Sequence, residues 1–221
     1  MIPWITKNQL WLELVSKLPP LDQQNGPWIA GGSVRKLYQG YDWRSGDIDV
    51  FFQSAQQLDQ WHQQFKTMFS TDRLYHFSCD LIDCPNLFNF RSPPVRKKSE
   101  FGAYVHHTSD NAVTYKIWGF GDQDIKLQII NARYCKDIED IWSKFDINIC
   151  EFASVGQQCW RSESVDESLN TKQLTMRPEF SKAAPMRILK YLMYGYNFDT
   201  PTMEYLAENL YNNTLGDQED Y

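Results

Sequence analysis

Two aspartates lie two residues apart in an apolar run, DIDVFF, at positions 47–52. Because side chains alternate between the faces of a strand, Asp47 and Asp49 point the same way, with Cα atoms roughly 7 Å apart. Two carboxylates on a rigid strand can bind one or two Mg²⁺ or Mn²⁺ ions, which take their remaining ligands from water and substrate phosphates. Such ions activate an attacking hydroxyl and neutralise a leaving pyrophosphate. The alternative interpretation is a half-buried strand with a solvated acidic face.

A pair of glycines precedes this strand in IAGGSVRKLYQG, positions 29–40. Without side chains, Gly31 and Gly32 let backbone N–H groups approach a triphosphate closely. Ser33 offers a hydroxyl, and Arg35 offers a guanidinium fork suited to phosphate oxygens. Either motif alone is common, since a glycine turn often precedes a helix. Together, in this order and at this spacing, they predict a triphosphate cradle that faces a metal site.

The elements that position these residues follow from hydrophobic periodicity. An apolar entry leads into the glycine turn, and a polar segment of about 72–107 has no clear period. We expect an α+β fold with one mixed β-sheet, flanking helices and a short helical C-terminal region. The expected division is a catalytic core at 1–160 and a helical region at 161–221. Helices are predicted over 4–18, 34–39, 53–69, 136–145, 184–196 and 201–213, and strands over 47–52, 111–120, 124–132 and 146–155.

Composition limits the classes of function. The chain has 221 residues with 42% hydrophobic and 23% charged residues, which is typical of a globular protein. No run approaches the roughly 20 apolar residues that cross a bilayer, so no membrane partner is expected. Five cysteines without a CxxC pair favour reduced thiols and a cytoplasmic location, which is the host cytoplasm if a phage encodes the chain. A formal net charge of −6 argues against a protein that coats nucleic acid.

The stretch GGSVRKLYQG…GDIDVFF resembles the nucleotidyltransferase superfamily that includes DNA polymerase β. It is more similar to the head domain of class II tRNA nucleotidyltransferases and bacterial poly(A) polymerases, whose pattern is GGxVRDxxLG…DxD. SKFDINICEFA resembles the strand RRDFTxNA of that family, and PMRILKYLMYGYNFDTPT resembles a helix with two basic positions. The resemblance implies nucleotide-binding roles for Asp146, Arg187 and Lys190. It also implies transfer of a nucleoside monophosphate from an NTP, with release of pyrophosphate.

The chain departs from the family pattern in several places. Lys36 replaces the acid of the VRD motif, and the third acidic position falls on Lys126 or Gln128, with Asp124 as a weak substitute. SKAAP occupies the region of the motif that reads the incoming base. The body and tail domains that hold tRNA have no counterpart. The resemblance therefore points away from CCA addition and towards the small stand-alone nucleotidyltransferases of phages and bacteria.

We therefore predict a metal-dependent nucleotidyltransferase in which Asp47 and Asp49 bind metal and carry catalysis. Its acceptor is an RNA 3′ end or a protein hydroxyl, the latter suiting a toxin or counter-defence factor. The basic run at Arg91, Arg96, Lys97 and Lys98 is the expected contact for an RNA acceptor. The rival from another class is a nucleotide-binding regulator or inhibitor that has lost its chemistry and acts on a partner. The missing third carboxylate supports that rival.

Overall fold

A computed structural model of the chain describes residues 1–69, 101–120, 122–177 and 184–216. Within these ranges an eight-stranded sheet runs in the order β1-β8-β7-β2-β3-β6-β5-β4. The strands are β1 (Ile2–Ile5), β2 (Trp28–Ala30), β3 (Asp47–Phe52), β4 (Gly102–Thr108), β5 (Ala112–Trp118), β6 (Ile125–Tyr134), β7 (Phe152–Val155) and β8 (Gln158–Arg161). Strand β3 pairs in parallel with β6 and antiparallel with β2, which makes the sheet mixed.

Helices cover both faces of the sheet. They are α1 (Gln9–Ser16), α2 (Gly32–Tyr38), α3 (Ala55–Met68), α4 (Ile138–Ser143), α5 (Glu163–Thr171), α6 (Ala184–Met193) and α7 (Thr200–Gly216). A small parallel pair joins β9 (Gln173–Leu174) to β10 (Asn197–Phe198) in the C-terminal region. The α+β class with a mixed sheet is confirmed. None of the helices in the described ranges combines the length and apolar character needed to cross a membrane.

Alternation along the strands divides the buried side chains between two cores. Ile48 and Val50 of β3 lie in the larger core, under helices α1, α2, α3 and α6, whereas Phe51 lies in a smaller one. The smaller core gathers around α4 on the other face of the sheet, with Trp28 and Trp142. The aspartates of β3 thus alternate with residues that anchor the strand.

Several predicted elements have different bounds. Trp4 lies in strand β1 and not in a helix, because Ile2–Ile5 pairs with β8 at the edge of the sheet, where Pro3 is tolerated. The predicted strand 146–155 begins only at Phe152. Before it, residues Asn148–Cys150 form a 3₁₀ turn, and the Asn148 side chain donates to Ser168 Oγ at 2.8 Å. Strand β4 occupies the end of the segment that was predicted to be irregular.

Candidate active site

The two aspartates project from the end of β3 where the strand begins. Asp47 is exposed and Asp49 is half-buried, while Ile48 between them is fully buried on the other side. The 3₁₀ turn Trp43–Ser45 leads into the strand, and Trp43 packs into the larger core. The strand geometry expected from the sequence is therefore present, with both carboxylates on one face.

The glycine turn lies directly beside Asp49. Ala30 is the register partner of Asp49 in the β2–β3 pair, so Gly31 follows at the point where β2 leaves the sheet. Gly31 has φ +96° and ψ −146°, a region that residues with a Cβ rarely adopt. A Cβ at Gly31 would lie 3.6 Å from Asp49 Oδ2. A Cβ at Gly32 would meet nothing within 4 Å, so the turn is open on that side.

Two polar atoms of helix α2 are buried without a hydrogen-bond partner in the described part of the chain. They are Ser33 Oγ and Arg35 Nε. Ser33 is 1% exposed and lies in the first turn after the glycines. A buried polar atom without a partner costs free energy, which a ligand oxygen or donor can recover.

The Arg35 guanidinium extends along α2 towards its C-terminal end. Its Nη1 donates to Gln39 Oε1 at 3.3 Å, and its Cζ lies 5.4 Å from the centre of the Tyr191 ring. It forms no ion pair within the described residues. The guanidinium thus lies one turn beyond the glycines, and its role at a triphosphate stays a prediction.

The structure joins Asp146 and Arg187, two residues that the family resemblance selected. Arg187 Nη1 donates to Asp146 Oδ2. Asp146 precedes the 3₁₀ turn Asn148–Cys150, whereas Arg187 lies on α6, so the ion pair ties the helical region to the sheet. The positive charge of Arg187 also acts on Asp49, which places the pair close to the β3 carboxylates.

Burial and, to a smaller extent, the charge of Asp47 raise the pKa of Asp49, the charge of Arg187 lowers it, and the resulting pKa is about 7. A carboxyl with this shift is short of positive charge in its surroundings. A divalent cation bound there would offset both the burial of Asp49 and the repulsion from Asp47, and would thereby lower the pKa of Asp49. The donor set of Asp47 and Asp49 therefore fits one Mg²⁺, which needs only one or two carboxylates.

Neither residue expected at the position of a third carboxylate is acidic. In the β3–β6 register Asp47 faces Lys126 and Asp49 faces Gln128. Lys126 Nζ lies 3.8 Å from Asp47 Oδ1. In the part of the chain that the structure describes, no cluster of three or more acidic, histidine or cysteine side chains could hold a metal. Within the described residues the pair of Asp47 and Asp49 therefore has no third carboxylate beside it.

Lys36 and Lys190 complete the charged surroundings. Lys36 Nζ donates to Ser45 Oγ at 2.8 Å, next to the start of β3. Burial lowers the pKa of Lys36, and the charges of Lys190 and Arg35 lower it further. Sequence reasoning identified Lys36 only as a departure from the family pattern, because its approach to Ser45 depends on the turn between α2 and β3. The predicted acceptor contacts at Arg91, Arg96, Lys97 and Lys98 lie outside the described residues.

Comparison with known proteins assigns a family to this arrangement. The family model Gad2, described as Gabija anti-defense 2 family protein, matches residues 5–182. The chain belongs to this family. The match includes the glycine turn, both aspartates of β3 and Asp146, and it ends just before helix α6. No curated protein matches the chain.

Solved structures of CCA-adding enzymes share the fold. The complex of a CCA-adding enzyme with CTP has a TM-score of 0.55 at 15% identity, covering 99% of this chain and 49% of that enzyme. An apo form gives 0.54 at 16% identity, with 99% and 48% covered. The Thermotoga maritima enzyme complexed with tRNA gives 0.52 at 15% identity, with 94% and 45% covered. The chain thus spans about half the length of these enzymes and has a nucleotidyltransferase-like fold.

Proposed function

We propose that the chain is a nucleotidyltransferase that moves a nucleoside monophosphate from an NTP to an acceptor hydroxyl, with release of pyrophosphate. The observation that carries the proposal is the juxtaposition of Asp47 and Asp49 with the positive-φ turn at Gly31. A like-charged carboxylate pair beside a backbone turn without side chains suits a metal-bound polyphosphate. The likeness to CCA-adding enzymes supports the reaction class.

Asp47 and Asp49 would hold a Mg²⁺ ion. When bound, that ion supplies charge neutralisation at the phosphates and lowers the pKa of a coordinated hydroxyl or water. Gly31 and Gly32 give the phosphates close access to backbone N–H groups, and Ser33 Oγ provides a hydrogen bond that it lacks within the described residues. Arg187, fixed by Asp146, keeps positive charge near Asp49. Each of these roles uses a group that the fold already holds in place.

The family name directs the proposal towards a target in the Gabija defence. A nucleotidyltransferase that acts against a defence would modify a component of that defence, and a phage-encoded enzyme would do so in the host cytoplasm. The sequence resemblance favours an RNA 3′ end as the acceptor, and a protein hydroxyl is the alternative. Both acceptors use the same carboxylates and the same glycine turn.

The experiment is transfer of label from each α-labelled NTP in the presence of MgCl₂ and an extract of cells that carry the Gabija defence. We expect label in a macromolecule, and treatment with RNase or protease identifies the acceptor. The matched control is the variant with both Asp47→Asn and Asp49→Asn. Equal labelling by the wild type and this variant would remove the proposal, as would the absence of any labelling with all four NTPs.

The ion pair between Lys126 and Asp47 favours a second candidate, a nucleotide-binding inhibitor without chemistry. A lysine ammonium that neutralises Asp47 could substitute for a metal ion in stabilising the carboxylates. Such a protein would act by binding a partner and would retain its anti-defence effect when Asp47 and Asp49 are both replaced by Asn. Infection of cells that carry the defence, by phage that supply either version of the protein, separates the candidates.

A further inference from the structure

A cavity of about 400 Å³ lies beside the C-terminal half of α2 and the turn that follows it. Its size falls in the range of small-molecule pockets. Asp47, Asp49 and Gly31 are not among the described residues that line it. The walls that matter are three cations and three tyrosines: Arg35, Lys36, Lys172, Tyr41, Tyr194 and Tyr196.

The cations of this cavity lack carboxylate partners at ion-pair distance in the part of the chain that the structure describes. Within the described residues, Arg35, Lys36 and Lys172 form no ion pair with a carboxylate. Asp42, the acidic residue of the lining, accepts hydrogen bonds from Arg44 Nε at 2.9 Å and Gln123 Nε2 at 2.9 Å. Among the described residues, three cations that form no ion pair thus surround one cavity, whereas its one carboxylate, Asp42, is hydrogen-bonded to Arg44 and Gln123, and this excess of positive charge favours an anionic ligand.

Arg35 adds a buried donor to the wall. The residue is 5% exposed, and its Nε has no hydrogen-bond acceptor within the described part of the chain. Burial lowers the pKa of Lys36, and the nearby charges of Lys190 and Arg35 lower it further, against the opposite effect of Asp42 and Asp47. An anion in the cavity would offset the repulsion between these cations and could accept a hydrogen bond from Arg35 Nε.

Lys172 is held at the cavity by its backbone. It has φ +60°, the only positive φ of a residue other than glycine in the described ranges. Its carbonyl oxygen accepts from the backbone N–H of Asn197 at 2.8 Å, and its Nζ lies 4.7 Å from the centre of the Tyr196 ring. The ammonium is therefore positioned by α5, by β10 and by an aromatic ring, without a carboxylate.

The tyrosines provide flat surfaces at two depths. Tyr196 is 4% exposed and lies beneath Lys172, whereas Tyr194 and Tyr41 are 55% and 63% exposed at the mouth. Exposed aromatic rings next to cations are the usual surfaces on which nucleobases stack. The cavity therefore combines phosphate-binding cations with ring-binding walls.

We propose that this cavity binds a nucleotide, with its phosphate among Arg35, Lys36 and Lys172 and its base against Tyr194 or Tyr41. The ligand is a phosphomonoester on a flat ring, as in a nucleoside monophosphate. Binding requires no divalent cation, because the cavity contains no carboxylate that is free to hold one among its described lining. The site does not include Asp47 or Asp49, and in it Arg35 binds the phosphate of this ligand in place of the triphosphate that the sequence predicts for it.

Calorimetric titration with AMP in EDTA tests the site. We expect saturable binding with one site per chain, and at least ten-fold weaker binding of adenosine, which lacks the phosphate. Lys172→Gln should weaken AMP binding about ten- to a hundred-fold, the usual loss for one charge-assisted hydrogen bond. Tyr194→Ala should weaken AMP binding while leaving the weaker binding of inorganic phosphate unchanged.

Two controls make the test decisive. Lys136→Gln removes an exposed lysine that lies before α4, on the other face of the sheet, and it should leave AMP binding unchanged. The Asp47→Asn and Asp49→Asn double variant should also bind AMP normally in EDTA. No binding of AMP in EDTA would overturn the proposal, as would equal affinity in the wild type and Lys172→Gln. Dependence of AMP binding on Asp47 and Asp49 would assign the ligand to the carboxylates instead.

Discussion

The two ends of helix α2 differ in the sign of the charged side chains around them and in where those residues lie in the sequence. Beside the N-terminal end, Gly31 meets Asp49, and two carboxylates face outwards without full compensation. At the C-terminal end, Arg35 and Lys36 share a cavity with Lys172, and the cations lack carboxylate partners among the described residues. The first region suits a cation and the second suits an anion, so one helix separates two sites of opposite preference.

The two ends also differ in sequence separation. The acidic end comes from one stretch of about 20 residues, in which a turn and a strand follow each other closely. The cationic end combines that stretch with residues that follow α5 and α6, roughly 120 or more positions later in the chain. A local motif can thus be recognised in the sequence, whereas a cavity between distant segments becomes visible only in the fold.

The largest expected effect comes from removing charge at the acidic end. Asp47→Asn and Asp49→Asn should each reduce nucleotide transfer by at least about a thousand-fold, because metal stabilisation of a transition state is worth several kcal/mol. The far-UV circular dichroism spectrum should not change, since neither side chain belongs to the core. The initial rate of label transfer at saturating MgCl₂ measures the effect.

The comparison would break down if these variants also lost AMP binding at the cavity. In that case the two ends of α2 would act as one site. Transfer at one tenth of the wild-type rate or more in both variants would exclude the assigned metal role.

A second prediction concerns the pH dependence of stability. Asp49 has a pKa of about 7 in the folded protein and an ordinary value of 3.8. Between these values the folded state binds a proton that the unfolded state releases, so the free energy of unfolding falls as pH rises from about 4 to about 7. In EDTA at pH 8, Asp49→Asn should therefore be more stable than the wild type by about 2–4 kcal/mol.

Urea unfolding at pH 4.5 and pH 8 measures this difference, which should shrink to about a quarter of its size at the lower pH. Asp110→Asn, in the exposed turn between β4 and β5, is the matched control and should follow the wild type at both pH values. Added MgCl₂ at pH 8 should stabilise the wild type and leave Asp49→Asn unchanged. A stability difference that does not vary with pH would mean that the Asp49 carboxyl is not the titrating group.

A third prediction uses the two adjacent glycines. Gly31→Ala should destabilise the protein by about 1–3 kcal/mol, because Gly31 has φ +96° and its backbone region is nearly restricted to glycine. Gly32→Ala is the matched control, since a Cβ there meets nothing within 4 Å in the first turn of a helix. Its free energy of unfolding should equal that of the wild type or rise by less than about 1 kcal/mol.

Thermal or urea unfolding of both variants gives the comparison directly. Equal stability of the two alanine variants would contradict the strained turn. AMP binding in EDTA should be the same in both, because neither glycine lines the cavity.

Much of the fold followed from periodicity, since strand β3, helix α3 and the β5–β6 hairpin have strong apolar patterns. Strand β1 was not predicted, because its four residues are too few to show an alternating pattern. Trp4 also lies at helical spacing from later apolar residues, and this spacing favoured a helix. The 3₁₀ turn at Asn148–Cys150 escaped because its conformation depends on Ser168, twenty residues away.

The candidate site divides in the same way. Asp47, Asp49 and the glycine turn could be found from local spacing. The sequence left open whether Lys126 or Gln128 occupies the third acidic position of the family pattern. Only the sheet decides that Lys126 faces Asp47 and Gln128 faces Asp49. Lys172 carried no sequence signal, because its place at the cavity depends on a left-handed backbone conformation and on β10.

The smallest expected effect concerns Lys126, which distinguishes an active metal site from a neutralised one. Lys126 and Asp47 are both about half exposed and 3.8 Å apart, so their ion pair contributes little to stability, and Lys126→Gln should change the free energy of unfolding by less than about 0.5 kcal/mol. Removing this competing cation should lower the MgCl₂ concentration for half-maximal transfer by about two- to five-fold.

Lys116→Gln is the matched control, because Lys116 is the register partner of Lys126 on β5, one strand farther from Asp47. It should shift the half-saturation less than Lys126→Gln does. If Lys126 instead takes the place of the metal, its loss should cost more than about 1 kcal/mol of stability, and MgCl₂ should have no effect on the wild type.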